Sequence, residues 1–228
     1  MNERGVLMRA RQLGFSFPEP KQRGGARRGA GRKPRPAHLR HTPHRARPIH
    51  RKAHPVHVTL RAELRSLRSQ RVARVVLLGL RDSNRDWFRV VHYSVQDNHV
   101  HLLVEADDAQ ALSSGVRGLM IRIARRVNSM LRRRGRFWAD RWHGRDLEGP
   151  RQVRNALVYV LQNHKKHTGS DGLDPLSSAG WFDGFASALP STFRGVGPPC
   201  ANKAKTWLLR SGWRRGGLIR LTEAPAGQ

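Results

Sequence analysis

From Asn98 to Glu105 the chain reads Asn-His-Val-His-Leu-Leu-Val-Glu, with Val100, Leu102 and Val104 alternating with His99, His101 and Leu103. A period of two marks a strand, because successive side chains leave opposite faces of the backbone. The pattern sets His99 and His101 side by side on one face and Val100 in the opposite, apolar layer. Two imidazoles held this way can offer neutral nitrogens to one divalent cation. The chain holds 12 histidines, so such a pair also arises by chance. It carries chemistry only if further ligands and a reacting group stand at the right spacing.

The neighbouring patterns say what can cover that strand. His54 to Leu60 is β-branched and alternating, a first strand. Ala62 to Arg81 has Leu64, Leu67, Val72, Val75 and Leu78 along one stripe, a helix. Trp87 to Ser94 is a second strand, joined to the third by the short link Val95-Gln96-Asp97 as an antiparallel hairpin. The clearest helix runs from Ala109 to Arg134, with Leu112, Val116, Leu119, Met120, Ile123, Val127, Met130 and Leu131 at three- and four-residue spacing. Asp107 or Asp108 can cap it, and Gly135 can end it. Phe137 to Leu147 reads as a fourth strand with Arg141, His143 and Arg145 on one face. Gly149-Pro150 opens a last helix from Arg151 to about His167. The order strand, helix, strand, strand, helix, strand, helix predicts an α+β, ferredoxin-like split β-α-β sandwich with one extra C-terminal helix.

On either side of this core the pattern fails. Residues 1–55 are expected to form a basic, largely disordered arm, with Arg-Gly segments such as Arg27 to Arg35. The core itself spans 56–167. Residues 168–228 are expected to form a loose tail with isolated aromatics, in which Trp207 and Trp213 stand beside Arg210, Arg214 and Arg215. Tryptophans beside arginines suit base stacking, and they suit docking of a tail equally well.

The formal charge is +28, from 44 Lys+Arg against 16 Asp+Glu. Its natural counter-surface is a phosphate backbone, each neutralised phosphate releasing a counterion. Candidate contacts are Arg117, Arg125, Arg126, Arg132 and Arg133 of the long helix, Arg141 and Arg145 of the fourth strand, and Lys165. No lipidation signal or aromatic-faced amphipathic helix argues for a membrane partner, and no apolar run is long enough to span one. Cys200 is the only cysteine, which excludes a disulfide framework and a cysteine-rich zinc site. A basic N-terminus without an apolar core leaves a cytoplasmic protein as the expectation.

The last helix adds a reacting group. Asn163, Lys166 and His167 follow Tyr159 by four, seven and eight residues, on one helical face. Taken alone, Tyr159 is as well explained as a core-bordering residue with a wet hydroxyl. Lys166 and His167 are candidates for a proton donor or a phosphate clamp.

Asn98-His99-Val100-His101-Leu102-Leu103 followed by Tyr159-Val160-Leu161-Gln162-Asn163 resembles the HUH single-tyrosine transposases, above all REP-associated tyrosine transposases and their insertion-sequence relatives. The resemblance runs from about Val56 to His167. It implies a ferredoxin-like fold and metal-assisted strand transfer on single-stranded or hairpin DNA. It further implies His99, His101 and Asn163 as ligands of Mg²⁺ or Mn²⁺, and Tyr159 as a nucleophile that forms a 5′-phosphotyrosine. Monomers and homodimers both occur among such relatives. The chemistry is consistent. A tyrosine hydroxyl titrates near pH ~10 and needs activation. Two imidazoles and an amide leave a cation its full charge for the phosphate. Strand transfer by transesterification needs no nucleotide cofactor, and no glycine-rich stretch ends in the Lys-Ser or Lys-Thr of a P-loop. Two other functions fit the same residues: a non-catalytic nucleic-acid-binding protein, and a metal-dependent nuclease in which His143 joins the histidine pair and water attacks.

Overall fold

Four antiparallel strands, β1 (Val56–Arg61), β2 (Phe88–Val95), β3 (His99–Ala106) and β4 (His143–Asp146), form one sheet in the order β2-β3-β1-β4. The computed structural model describes residues 49–168, 172–189 and 201–225. Helices α1 (Gln70–Arg81) and α2 (Ala109–Met130) each connect strands that are not neighbours in the sheet, and α3 (Pro150–Thr168) follows β4. This is the expected split β-α-β arrangement with its extra helix.

The two faces of the sheet carry different layers. Val56, Val58 and Leu60 of β1 and Val100, Leu102 and Val104 of β3 are buried together with Val76 and Leu80 of α1 and Leu119 and Ile123 of α2. The opposite face takes Val91 of β2 and Leu103 of β3, which pack with Val153, Leu157, Val160 and Leu161 of α3. The alternation along β3 thus divides its side chains between the two layers. A bulge between Val90 and His92 lets Val91 reach the α3 layer.

Three local expectations are corrected, each by tertiary contacts. Residues 62–69 are not helical, and α1 begins only after Ser69. Leu67 is fully buried and its N–H donates to the Asp97 carbonyl (2.6 Å), while Arg68 donates to the Val95 carbonyl (2.7 Å). Helix α2 stops at Met130 rather than Arg134, because Arg132 adopts a φ of 49° and Asn128 Nδ2 donates to the Gly135 carbonyl. Its start is capped by Asp108, whose carboxylate accepts from Ala111 N–H at 2.7 Å. The fourth strand shrinks to four residues. Phe137, Trp138 and Trp142 all enter the α1/α2 core, which strict alternation does not allow. Trp138 keeps only an isolated bridge to Ala62.

The flanks also differ from expectation. Residues 1–48 of the basic arm lie outside the described residues, but His50 is already anchored. Its Nε2 donates to the Ala106 carbonyl (3.1 Å), and its Nδ1 lies 3.1 Å from Asp146 Oδ2. The segments 172–189 and 201–225, expected to be loose, pack on the α3 side. Asp174, only 1 % exposed, forms a two-pronged ion pair with Arg68 (2.8 and 2.9 Å). Phe182, Phe185, Leu208, Leu209 and Trp213 join the α3 core. Helix α4 (Trp207–Arg210) and the 3-10 helix Gly212–Gly216 both lie against α3.

One buried histidine sets a pH dependence for this packing. His92 has Nδ1 3.1 Å from Ser178 Oγ and its ring edge-on to Phe182. Burial lowers its pKa to about 4, only partly opposed by the charge of Asp183. The unfolded chain therefore binds this proton first, and stability falls as pH drops from about 6.5 towards 4. The loss is on the order of 3 kcal/mol. His92→Gln is expected to flatten this part of the melting-temperature-against-pH curve, measured between pH 7 and 4. An unchanged curve would refute the assignment.

Candidate functional site

The α3 face of the sheet brings the two sequence motifs together. His99 and His101 leave β3 on this face with ring centroids 4.7 Å apart and planes at 82°. Tyr159, on α3, packs edge-on to His101 with centroids 5.0 Å apart. His101 is 4 % exposed, whereas His99 is half-buried and has Nδ1 2.8 Å from Asn98 Oδ1. Burial raises the Tyr159 pKa above its ordinary value. The phenol is therefore protonated at neutral pH, and ionising it needs a positive charge nearby.

One turn beyond Tyr159, Asn163 is fully buried, and neither Oδ1 nor Nδ2 has a hydrogen-bond partner among the described residues. Leaving a buried amide in that condition costs about 1–3 kcal/mol, so the site favours a group that uses it. Among the described residues no three His, Cys, Asp or Glu side chains converge to hold a metal. The imidazoles of His99 and His101 and the amide oxygen of Asn163 are donor types that could hold a divalent cation. Such a nitrogen and oxygen donor set is one that a divalent cation accepts.

Two site residues escape a reading of the sequence alone. His57 and Thr59 stand on β1, and the register sets Thr59 opposite His101. His57 Nε2 and Thr59 Oγ1 each lie 3.2 Å from His101 Nδ1. His57 also touches Tyr159, ring centroids 5.6 Å apart. Its pKa is lowered to about 4, first by burial and then by the charge of Arg145, so it is neutral at pH 7. The pair fixes the His101 ring through one nitrogen and leaves the other as the natural donor to a metal. His57 and Thr59 are recognisable as strand residues on one face. Only the pairing of β1 with β3 makes them neighbours of His101.

The remaining predicted residues divide among several surfaces. Arg145 lines a groove of about 330 Å³ with His57, Gln152, Arg154, Asn155 and Tyr159. Arg117 and Arg141 line another, of about 650 Å³, with Ser113, Ser114 and Arg136. Arg126 pairs with Asp82 at 2.7 Å, and Arg133 donates to the Arg136 carbonyl at 2.7 Å. Arg125 is exposed on α2, and Arg132 lies just past its end. Since α2 covers the other face of the sheet, its arginines do not border Tyr159. Lys165 donates to the Leu221 carbonyl instead of standing free. The side chains of Lys166 and His167 lie outside the described residues. His143 is exposed and is paired with Thr59, which itself faces His101. Two strand spacings, about 10 Å, separate its backbone from that of His101.

Residues 54–163 match the model of the family described as transposase, IS200-like. This domain belongs to the IS200-like, single-tyrosine transposases. The matched span of the transposase domain runs from just before β1 to Asn163, so it includes the histidine pair, Tyr159 and Asn163. It stops before the segments that dock on α3. Among solved structures the chain is similar to a REP-associated tyrosine transposase bound to a REP hairpin. Identity is 16 %, the alignment covers 60 % of this chain and 82 % of that one, and the TM-score is 0.47. No match is found among curated proteins. Among the described residues no helix is long and apolar enough to cross a membrane.

Proposed function

We propose that this transposase cuts and rejoins single-stranded or hairpin DNA through a covalent bond to Tyr159. The Tyr159 oxygen attacks the scissile phosphorus, and the bond from phosphorus to the departing 3′ oxygen breaks. The 5′ end is left on the tyrosine and a 3′-hydroxyl is released. Attack by a 3′-hydroxyl on the phosphotyrosine reverses these bonds, rejoins DNA and frees Tyr159. One phosphodiester is exchanged for another at each step, so no nucleotide cofactor is consumed.

His99, His101 and Asn163 would hold a divalent cation, with His57 and Thr59 fixing the ring of His101. When bound, the cation supplies positive charge to the scissile phosphate and lowers the cost of developing charge on the entering and leaving oxygens. Tyr159 is held against His101 by α3, so its ring cannot swing freely and its approach is set in advance. Arg145, in the groove beside Tyr159, is placed to contact a flanking phosphate. The observation that carries this reading is the edge-on contact of Tyr159 with His101 (5.0 Å), beside a buried Asn163 with no hydrogen bond.

The test is covalent trapping. Full-length protein is mixed with a 5′- or 3′-labelled DNA hairpin bearing single-stranded flanks and Mg²⁺ or Mn²⁺, then denatured and resolved on a gel. A metal-dependent protein–DNA band on one labelled strand is expected, and His101→Ala or Asn163→Ala should reduce its rate of formation by at least tenfold. Cleavage with no adduct would assign the chemistry to water. Binding with neither cleavage nor adduct would leave a binding protein on a transposase fold.

A further inference from the structure

The C-terminal segment contains one tryptophan that docks and one that does not. Trp213 is 1 % exposed and packs on Phe182 with centroids 5.4 Å apart. Trp207, six residues earlier, is 47 % exposed. Single exposed apolar side chains are ordinary, but this one is held rigidly. A Cβ on Gly212 would sit 2.8 Å from Trp207 Cζ3, so only glycine lets the ring lie so close to the backbone there. The Arg215 guanidinium lies 4.9 Å from the centroid of the same ring. The backbone just before the ring is pinned as well. Lys205 N–H and Thr206 N–H donate to the buried carboxylate of Glu105 at 2.9 and 2.8 Å. Leu208 and Leu209, just after it, are buried.

The segment that carries the ring is strongly basic, although Arg214 pairs with Asp183 at 3.1 Å. From Ala201 to Thr222 the sequence contains Lys203, Lys205, Arg210, Arg214, Arg215 and Arg220 and no acidic residue. All six are at least partly exposed. A flat, preorganised indole with a guanidinium over it, on a segment rich in exposed Lys and Arg, is complementary to an unpaired base and its phosphates. Aromatic and guanidinium planes both stack on bases, and the immobilised ring loses little entropy when it does so. An acidic protein partner could meet the charge but would leave the planar geometry unused.

We propose that Trp207 and Arg215 form a stacking platform for an unpaired DNA base, outside the family-matched residues 54–163. The inference rests on the DNA-processing function above. It extends that function to a second contact, on elements that pack against α3, the helix bearing Tyr159. Stacking supplies most of the contribution of Trp207, and Arg215 adds a phosphate contact or a second plane.

The experiment uses full-length protein and a DNA hairpin with a single-stranded flank carrying 5-iododeoxyuridine at successive positions. Ultraviolet crosslinking is mapped by mass spectrometry, and affinity is read by fluorescence anisotropy at several salt concentrations. The expected crosslink falls on the Trp207 peptide. Trp207→Ala should weaken binding of the flanked hairpin about 5- to 100-fold with an unchanged salt slope, and Trp207→Phe by less than about threefold. Binding of blunt duplex should be unaffected by either substitution. Arg215→Ala should reduce the salt slope by about one. The platform is overturned if Trp207→Ala binds the flanked hairpin within twofold of the unsubstituted protein. Equal loss for duplex and flanked hairpin, or absence of any crosslink at Trp207, overturns it too. The Tyr159 adduct is scored on the same oligonucleotides. An adduct without a Trp207 effect refutes the platform and spares the catalytic reading, and the reverse pattern refutes the catalytic reading and spares the platform.

Discussion

Replacing Tyr159 with phenylalanine should abolish the covalent adduct and lower strand cleavage by at least about a thousandfold, while DNA affinity stays within about twofold. The size of the effect follows from what the substitution removes. The ring keeps its edge-on contacts with His101 (5.0 Å) and His57 (5.6 Å), so α3 stays seated on the sheet and the histidine pair keeps its packing. Only the hydroxyl is lost, and it is the atom that forms the new bond to phosphorus. No tyrosine is available as a substitute, because the chain's one other, Tyr93, is fully buried on β2. Single-turnover cleavage with the trapping gel measures the effect, and anisotropy with the same DNA measures affinity. Residual cleavage within tenfold of the unsubstituted protein would remove Tyr159 from the mechanism, whatever its packing.

Which parts of this site were legible in the sequence follows from the range of the interactions involved. The strand character of β3 and the shared face of His99 and His101 are local, set by a period of two over a few residues. So are the helix that carries Tyr159 and Asn163 and the amphipathic stripe of α2. Their assembly is not local. His57 contacts His101 only because β1 pairs with β3, and nothing within the first strand announces that neighbour. The same distinction accounts for the misread segments. Leu67 continues the apolar stripe of α1 but hydrogen-bonds to Asp97, far along the chain, and that tie keeps residues 62–69 out of the helix. Phe137, Trp138 and Trp142 show β propensity, yet the core beneath α2 takes all three and breaks the alternation. Phe182 and Phe185 look like isolated anchors because their partners are each other, Trp213 and α3 rather than sequence neighbours.

Glu105 is the least legible of these residues and the one whose removal should unfold most. It stands on β3, on the face of His101 and Leu103, 1 % exposed. Opposite it on β2 is Arg89, which donates from Nε (3.3 Å) and Nη2 (3.1 Å) to Oε2. Lys205 N–H, Thr206 N–H and Thr206 Oγ–H complete the shell. Glu105→Ala strands the Arg89 guanidinium in a buried site and leaves two backbone N–H groups without an acceptor. Breaking one side of a buried ion pair costs about 3–5 kcal/mol, which for a chain of this size corresponds to a melting temperature lower by roughly 10 °C. Glu105→Gln keeps the volume and one acceptor oxygen, so its loss should be smaller. The consequence reaches Tyr159 through α3. Arg154 donates to both carboxylate oxygens of Glu223 (2.9 and 2.8 Å), and Gln162 Nε2 donates to the Arg220 carbonyl (2.9 Å). The docked segment therefore braces α3 on both sides of the tyrosine. Limited proteolysis of Glu105→Ala should cut first within 201–225, at temperatures where the sheet is still folded, and adduct formation should slow under the same conditions. If the melting temperature moves by less than about 2 °C and residues 201–225 stay protected, Glu105 is not the clasp, and the brace on α3 must be held by Arg154 and Gln162 alone.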